Sequence, residues 1–265
     1  MTTSELRSAV DETTLNQRVR SYWEAEPCGT EAEIVGGLTP YSKEWFEQIE
    51  AYRYAAEPFI HSIAQFTRYH GQKLLEVGVG AGTDHLQWAR AGARCHGIDL
   101  TAAGIATTRA HLELYGLQSQ LQEVDAEAIP FGDEYFDIVY SWGVIHHSEH
   151  PERVLGEIRR VLKPGGHFIG MMYNRHSLAV YKYWLKYALL RGRPNRSLAE
   201  VIWHHVESIG TKAYTVAELE VLFAAFSVCK TTPLLTRSDY GRLPRWLYEL
   251  IPSRFGWYIA LQAVK

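Results

Sequence analysis

The chain is poor in cysteine. Its three, Cys28, Cys95 and Cys229, stand far apart and form no C-x-x-C pair, which argues against a disulfide framework or a cysteine-rich zinc site and fits a reducing, cytoplasmic setting. It also lacks a dominant charge. The formal net charge is −3, so no basic excess points to nucleic acid and no acidic excess points to disorder. No run of about 18 apolar residues is present to cross a bilayer. The opening residues are polar and charged, unlike a secretory leader. Repeats and low-complexity tracts are missing as well. What remains is ordinary globular material, 46% hydrophobic and 22% charged over 265 residues, enough for one large domain with additions.

The pattern along that material changes twice. Residues 1–70 read as an N-terminal arm: a polar stretch holding "YWEAEPCGT", then a helical region over 43–70 in which Phe59, Ile60, Ile63 and Phe66 follow Pro58 as one apolar stripe. From residue 71 to 265, short apolar runs alternate with helical patterns. "KLLEV", "ARCHGID", "QLQEVD", "FDIVYSW" and "HFIGMMY" read as strands. Helices follow the glycines at 78–82, start at Thr101, and open at Pro151, with Val154, Leu155, Ile158, Val161 and Leu162 on one face until "KPGG" breaks the pattern. Such alternation predicts an α/β fold, a Rossmann-like parallel sheet with helices on both faces. An aromatic, basic insert at about 174–213 interrupts it. It resumes with the capping-box spacing of Thr215 and Glu218 and two last strands, "VCKTTPLL" and "WYIALQAV", joined by a long aromatic connection over 240–257.

The chemistry begins at "LLEVGVGAGTD". A strand that turns sharply into a helix opens a crevice at the sheet edge, and glycines let backbone approach a ligand there. The spacing is G-x-G-x-G over Gly78, Gly80 and Gly82, preceded by Glu76. Thr83 stands where a dinucleotide fingerprint has its third glycine. This favours a nucleoside with an amino-acid tail, above all S-adenosylmethionine, over NAD. Asp99, followed by Leu100, ends the second strand where a carboxylate accepts ribose hydroxyls; Asp125 and Ala126 end the third, where an acid and an amide suit adenine.

Together "LLEVGVGAGTD", "GIDL", "VDAEAIPFGDEYFDIVYSWGVIHH" and "RVLKPGG" resemble the class I S-adenosylmethionine-dependent methyltransferases, in style closest to the quinone-biosynthesis branch. The resemblance is strong over about residues 70–172 and loose over the last fifty. It implies a seven-stranded sheet with its last strand antiparallel, Gly78 and Gly80 against the methionine part, Asp99 on the ribose, and Asp125 and Ala126 on the adenine. It further implies Ser141 and Trp142 beside the methionine moiety and an "YRY" segment, with Arg53 and Tyr54, folding over the cofactor. Tyr22, Glu76, Gly82, Thr83 and Leu100 complete the candidate cofactor-binding set.

Methyl transfer from a sulfonium is an in-line displacement that needs alignment and dryness first. A base is needed only for an acceptor that must lose a proton. His146 and His147 lie just past the fourth strand; His204 and His205, with Glu207, lie in the insert. These four histidines are the candidate catalytic residues, and no metal site is expected, since adjacent histidines on one helix point apart. The insert reads as a lid over a small-molecule acceptor, removable without loss of nucleoside binding. A membrane-surface helix and plain packing, on the domain or on a second copy, are its other readings. The attacking atom, oxygen, nitrogen or carbon, is left open, and so are a quinone or lipid-like acceptor met at a membrane surface and a non-catalytic cofactor-binding role.

Overall fold

The computed structural model describes residues 14–265; the start of the arm lies outside the described residues. Seven strands, β1 (Lys73–Val77), β2 (Arg94–Asp99), β3 (Gln120–Glu123), β4 (Phe136–Trp142), β5 (Leu162–Tyr173), β6 (Val228–Leu234) and β7 (Tyr258–Val264), form one sheet in the order β3-β2-β1-β4-β5-β7-β6. β7 runs antiparallel to both β5 and β6, and the other pairs are parallel. The mostly parallel seven-stranded α/β fold is thus the one expected. Side chains alternate across it with the two-residue period of a strand. Ile138, Tyr140 and Trp142 of β4 pack on one face with Leu74 and Ile169, while Val139 packs on the other with Leu75, Val77 and Phe168.

Helices cover both faces: α1 (Leu15–Ala25), α2 (Ala32–Val35), α3 (Lys43–Ala56), α4 (Ile60–Ala64), α5 (Thr83–Arg90), α6 (Ala102–Leu114), α7 (Pro151–Val161), α8 (Leu178–Tyr187), α9 (Leu198–His205), α10 (Val216–Leu222), α11 (Arg237–Tyr240) and α12 (Arg245–Tyr248). After β1 the chain builds β2 and β3 on one side, then crosses to β4 on the other. That reversal leaves a crevice at the carboxyl ends of β1 and β4, where open α/β sheets bind ligands.

Several local expectations need correcting. The region 43–70 is not one helical run: α3 stops at Ala56 before Pro58, α4 ends at Gln65 with φ 51°, and a 3-10 turn, Phe66–Tyr69, follows. "KPGG" does not separate α7 from a strand starting at residue 167. β5 begins at Leu162, pairs it with Phe136, and absorbs the glycines through a register shift opposite Phe136 and Ile138. Part of the polar arm is α1, capped by Thr14 and Gln17. The connection 240–257 carries the short helix α12. Nor is the insert a detachable lid, because Ala179, Val180 and Ile202 are buried in the same cluster as Leu74, Ile138 and Trp257.

Candidate active site

Gly78, Gly80 and Gly82 sit at φ 79°, 52° and 74°, the left-handed region that glycine enters at least cost. Their roles differ. A Cβ on Gly78 would strike Val144 at 2.3 Å, and one on Gly82 would strike Thr108 at 2.9 Å, so both are packing glycines. A Cβ on Gly80 would meet nothing within 4 Å, and Gly80 with Gly78 lines a cavity at the switch point. The cavity holds about 1160 Å³ of empty space, its open mouth included.

One end is floored by the strand termini. Asp99 Oδ1 accepts from Thr101 N and Oγ1 at 2.9 and 2.7 Å, and Oδ2 accepts from Gly80 N at 3.0 Å. The carboxylate therefore braces the glycine loop and starts α6. Of its roughly four lone-pair positions three are taken, which leaves one on Oδ2 for a ligand rather than two. Asp125 Oδ1 accepts from Glu127 N, and Oδ2 from Asn16 Nδ2 at 2.8 Å. Asn16 also reaches Glu127 Oε1 and accepts from Glu149 N, so one side chain fastens α1 across the ends of β3 and β4. Leu100, Ala126, Ile98 and Val124 supply apolar wall.

The middle is shaped by a buried charge network. Arg53 binds Asp84 Oδ2 at 2.7 Å and Glu57 Oε1 at 2.9 Å. Burial works against its charge, but Asp84 and Glu57 outweigh that and hold the guanidinium protonated. Glu57 also accepts from Trp142 Nε1 at 2.7 Å. Burial raises its pKa, against Arg53.

At the far end stand Trp23, Pro27, Cys28, His147, Tyr173, Glu207 and Tyr258. The insert is stitched back onto the sheet here, with Lys212 N donating to His146 O at 3.0 Å and Tyr214 N to Tyr173 O at 2.8 Å. That return places Ser208 and Thr211 Oγ atoms 3.0 and 3.1 Å from His147 Nδ1. It also places Glu207 Oε2 3.2 Å from His147 Nε2. Thr211 spends its only proton on Ser208 O at 2.7 Å, so Nδ1–H is the donor to Thr211 and Nε2 is the nitrogen turned to Glu207, an assignment inferred from the network. Tyr173 Oη donates to Glu207 Oε1 at 2.7 Å. Glu207 adopts φ 54°, an uncommon conformation for a non-glycine.

The structure separates the sequence candidates. Gly78, Gly80, Arg53, Asp99, Leu100, Asp125, Ala126, Trp142 and His147 line the cavity. The rest do not. Tyr22 is 47% exposed, and its neighbour Trp23 is the residue turned inward, 5.5 Å from the His147 ring. Tyr54 lies behind Arg53, bonded to Asp84 Oδ1. Glu76 is buried against His85 Nδ1 at 2.9 Å. Gly82 and Thr83 start α5, and the Ser141 hydroxyl donates to Val77 O. His146 is wholly buried, its ring 3.9 Å from that of Tyr173. His204 and His205 end α9 away from the cavity, with His205 stacked on Tyr187 at 4.2 Å. Asn16, Trp23, Glu57, Tyr173 and Glu207 are the site residues that the sequence reading left out of its set.

Comparison with known proteins bears on this fold and its cavity. Residues 75–170 match the family described as "Methyltransferase domain". Over 109 residues the chain is 38% identical to a phthiotriol/phenolphthiotriol dimycocerosates methyltransferase of Mycobacterium leprae, covering 40% of each chain. Over 108 residues it is 34% identical to a ubiquinone biosynthesis O-methyltransferase of Cereibacter sphaeroides, covering 41% of this chain and 44% of that one. The match thus spans about two fifths of the length of these curated relatives. Among solved structures, magnesium protoporphyrin IX methyltransferase from Synechocystis PCC 6803 with bound S-adenosylhomocysteine superposes with a TM-score of 0.60 at 17% identity, over 95% of this chain and 100% of that one. The [4+2]-cyclase SpnF superposes at 0.56 and 19% identity, over 86% and 84%. Residues 75–170 thus match a methyltransferase domain in sequence, and the chain shares the fold of these solved structures.

Proposed function

We propose that the protein transfers the methyl group of S-adenosylmethionine to a small-molecule acceptor. One observation carries the reading: a single cavity runs from Gly78, Gly80, Asp99 and Asp125 to Trp23, His147, Tyr173 and Glu207, so a nucleoside end and an aromatic end face each other without a wall between them. The nucleoside end fits the cofactor. Gly80 leaves open space, Asp99 keeps an acceptor position on Oδ2, and Asp125 and Ala126 close the floor. Arg53, fixed by Asp84 and Glu57, is the cation available to a carboxylate. When bound, S-adenosylmethionine supplies an electrophilic methyl.

This chain's own residues then hold the acceptor and exclude water. Trp23, Trp142, Tyr173 and Tyr258 give flat apolar walls, which suits an aromatic or otherwise planar acceptor. His147 presents the lone pair of Nε2, held in that tautomer by Thr211, and the Glu207 carboxylate beside it stabilises a positive charge there. This arrangement suits an oxygen or nitrogen that must shed a proton as it is methylated. The relatives named for quinone and phthiotriol chemistry support the methyl-transfer reading, while the cyclase on the same fold is a reminder that fold alone does not assign it. Incubation with methyl-labelled S-adenosylmethionine and fractionated cell extract tests the proposal. Label should appear in a small organic molecule together with S-adenosylhomocysteine; S-adenosylhomocysteine binding with no label transfer in any fraction would favour a cofactor-binding partner instead.

A second reading concerns where the acceptor is met. Tyr181, Leu185 and Leu189 stand at i, i+4 and i+8 on the insert, each more than 40% exposed, beside Lys182 and Lys186. An apolar stripe flanked by lysines suits a membrane surface. Co-sedimentation with anionic vesicles, lost in Leu185→Ser, would support it.

A further inference from the structure

We propose that His146, His147 and Glu207 form a binding site for one divalent transition-metal ion, Zn²⁺ or a metal of similar ligand preference, at the acceptor end of the cavity. Each offers one ligand atom, and the three atoms lie within 4.8 Å of one another. Two histidines and a carboxylate are a donor set used by zinc and by non-haem iron.

The contact between His147 and Glu207 is the first argument. Nε2 and Oε2 are 3.2 Å apart, yet Nε2 makes no hydrogen bond among the described residues. Thr211 accepts the hydrogen bond from Nδ1–H, so in the neutral ring the atoms that face each other are both electron-pair donors. Two such atoms repel unless a proton or a metal cation lies between them. Metal–ligand bonds of about 2.1 Å at tetrahedral angles put neighbouring ligand atoms about 3.4 Å apart, close to the separation observed.

The second argument is independent. His146 is fully buried, and both its ring nitrogens lack a partner. Buried polar nitrogens without partners are rare and costly. The His146 ring lies 4.4 Å from that of His147, and one of its nitrogens falls within 4.8 Å of the His147 and Glu207 ligand atoms. Glu207, the half-exposed member, is the arm free to close the remaining distance.

The surroundings are those of a ligated centre. Metal-bound histidine normally donates its other N–H to a fixed acceptor; His147 Nδ1 faces Thr211 and Ser208. Tyr173 Oη holds the second carboxylate oxygen. Because His147, Glu207 and Tyr173 line the cavity while His146 lies behind it, the open coordination position faces the acceptor. An acceptor oxygen or nitrogen fits there as fourth ligand. The acceptor's place at the metal rests on the methyl-transfer reading; the metal site itself does not.

Calorimetric titration of chelator-treated protein with Zn²⁺, and with Co²⁺ followed by visible absorption, tests it. The expected result is one ion per chain, a Co²⁺ spectrum of low-symmetry nitrogen and oxygen ligation, and affinity weakened at least about 10-fold in Glu207→Gln, with Thr211→Val weakened about 10–100-fold as for an outer partner. Thermal melting confirms that the variants fold, and His146→Phe, which preserves the stacked ring, replaces any that does not. No stoichiometric binding by the wild type, or equal binding by all variants, overturns the site. S-adenosylhomocysteine is titrated into the same samples. If it fails to bind while the metal does, the methyl-transfer reading falls and the metal site stands; if it binds and the metal does not, the reverse holds.

Discussion

Glu76 and His85 share their protons as a neutral pair. His85 Nε2 lies 2.8 Å from Ser119 Oγ, whose own proton goes to Cys95 O at 2.9 Å, so Nε2 must be the donor. Nδ1 is then an acceptor, and the Glu76 carboxyl 2.9 Å away must carry the proton. Electrostatics agrees. Burial, with nearby Asp84, holds Glu76 well above the usual carboxylate range, and burial lowers His85 to about 3.

The pair makes a pH prediction. In the unfolded chain Glu76 titrates near 4.5 and His85 near 6.5. For Glu76 the folded pKa is the higher one, so its contribution is full below 4.5 and is lost as pH rises above that value. For His85 the folded pKa is the lower one, so its contribution is full above 6.5 and is lost as pH falls below it. Between these values both forms of the pair carry one proton and the effects cancel. Glu76→Gln keeps a donor for Nδ1 and removes only the carboxyl titration. Its stability relative to wild type should therefore rise from pH 5 to pH 7.5, by up to about 1.4 kcal/mol per pH unit. Denaturant midpoints across that range decide it, and a flat difference would mean that Glu76 is ionised when folded.

Asp99 has become a double-duty residue. Its carboxylate accepts three hydrogen bonds from the protein and keeps one position free, so removing it both unbraces the glycine loop and strips a ligand contact. Asp99→Ala should weaken S-adenosylhomocysteine binding more than tenfold, since a single charge-assisted bond is worth about 1.5–3 kcal/mol. It should also lower the melting temperature. Calorimetry and a thermal melt read the two effects separately, and unchanged affinity would leave Asp99 as a brace alone.

The strand ends were legible in the sequence because parallel strands are short apolar runs and the ligand-facing residues sit at or just past their ends. Asp99 and Asp125 are legible that way, and Trp142 through the family resemblance. Glu76 was found as an acid in the right place, but its role depended on His85, buried on the next helix and marked by no motif. Glu207 was visible beside His204 and His205, and helical adjacency made those three look like a group. In the fold the chain leaves α9 before Glu207, enters a left-handed backbone there, and turns back toward β5, so Glu207 joins His147, sixty residues earlier. No local pattern encodes that return. The insert misled for a related reason: its exposed stripe suggested a lid, while its opposite face supplies core.

That inner face is testable. Ile202 is fully buried among Leu74, Val180 and Trp257, so Ile202→Ala should cost about 2–5 kcal/mol of unfolding free energy. Leu185→Ser, on the exposed face, should stay within about 0.5 kcal/mol. Equal small effects at both positions, read from denaturant midpoints, would mean that the insert folds apart from the domain.

The last prediction separates the four histidines. Only His147 lines the cavity, and its position is fixed from two sides by Thr211 and Glu207. Whether a proton or a cation fills the gap to Glu207, the acceptor's attacking atom is activated there. Once the extract assay has supplied an acceptor, His147→Ala should lower kcat about 10²–10⁴-fold, the usual contribution of a positioned acid or base, while leaving S-adenosylhomocysteine affinity nearly unchanged. Glu207→Gln should lower kcat in the same direction but less, because the His147 lone pair survives. Tyr173→Phe, which frees one oxygen of Glu207 without removing a ring from the wall, should cost less again. His204→Ala and His205→Ala lie outside the cavity and should leave kcat nearly unchanged. Steady-state kinetics on the five variants checks the order. A His147→Ala enzyme with full kcat would mean that alignment in the cavity carries the reaction without help at the acceptor. A large loss in His205→Ala would mean that the insert moves to bring α9 inward during turnover.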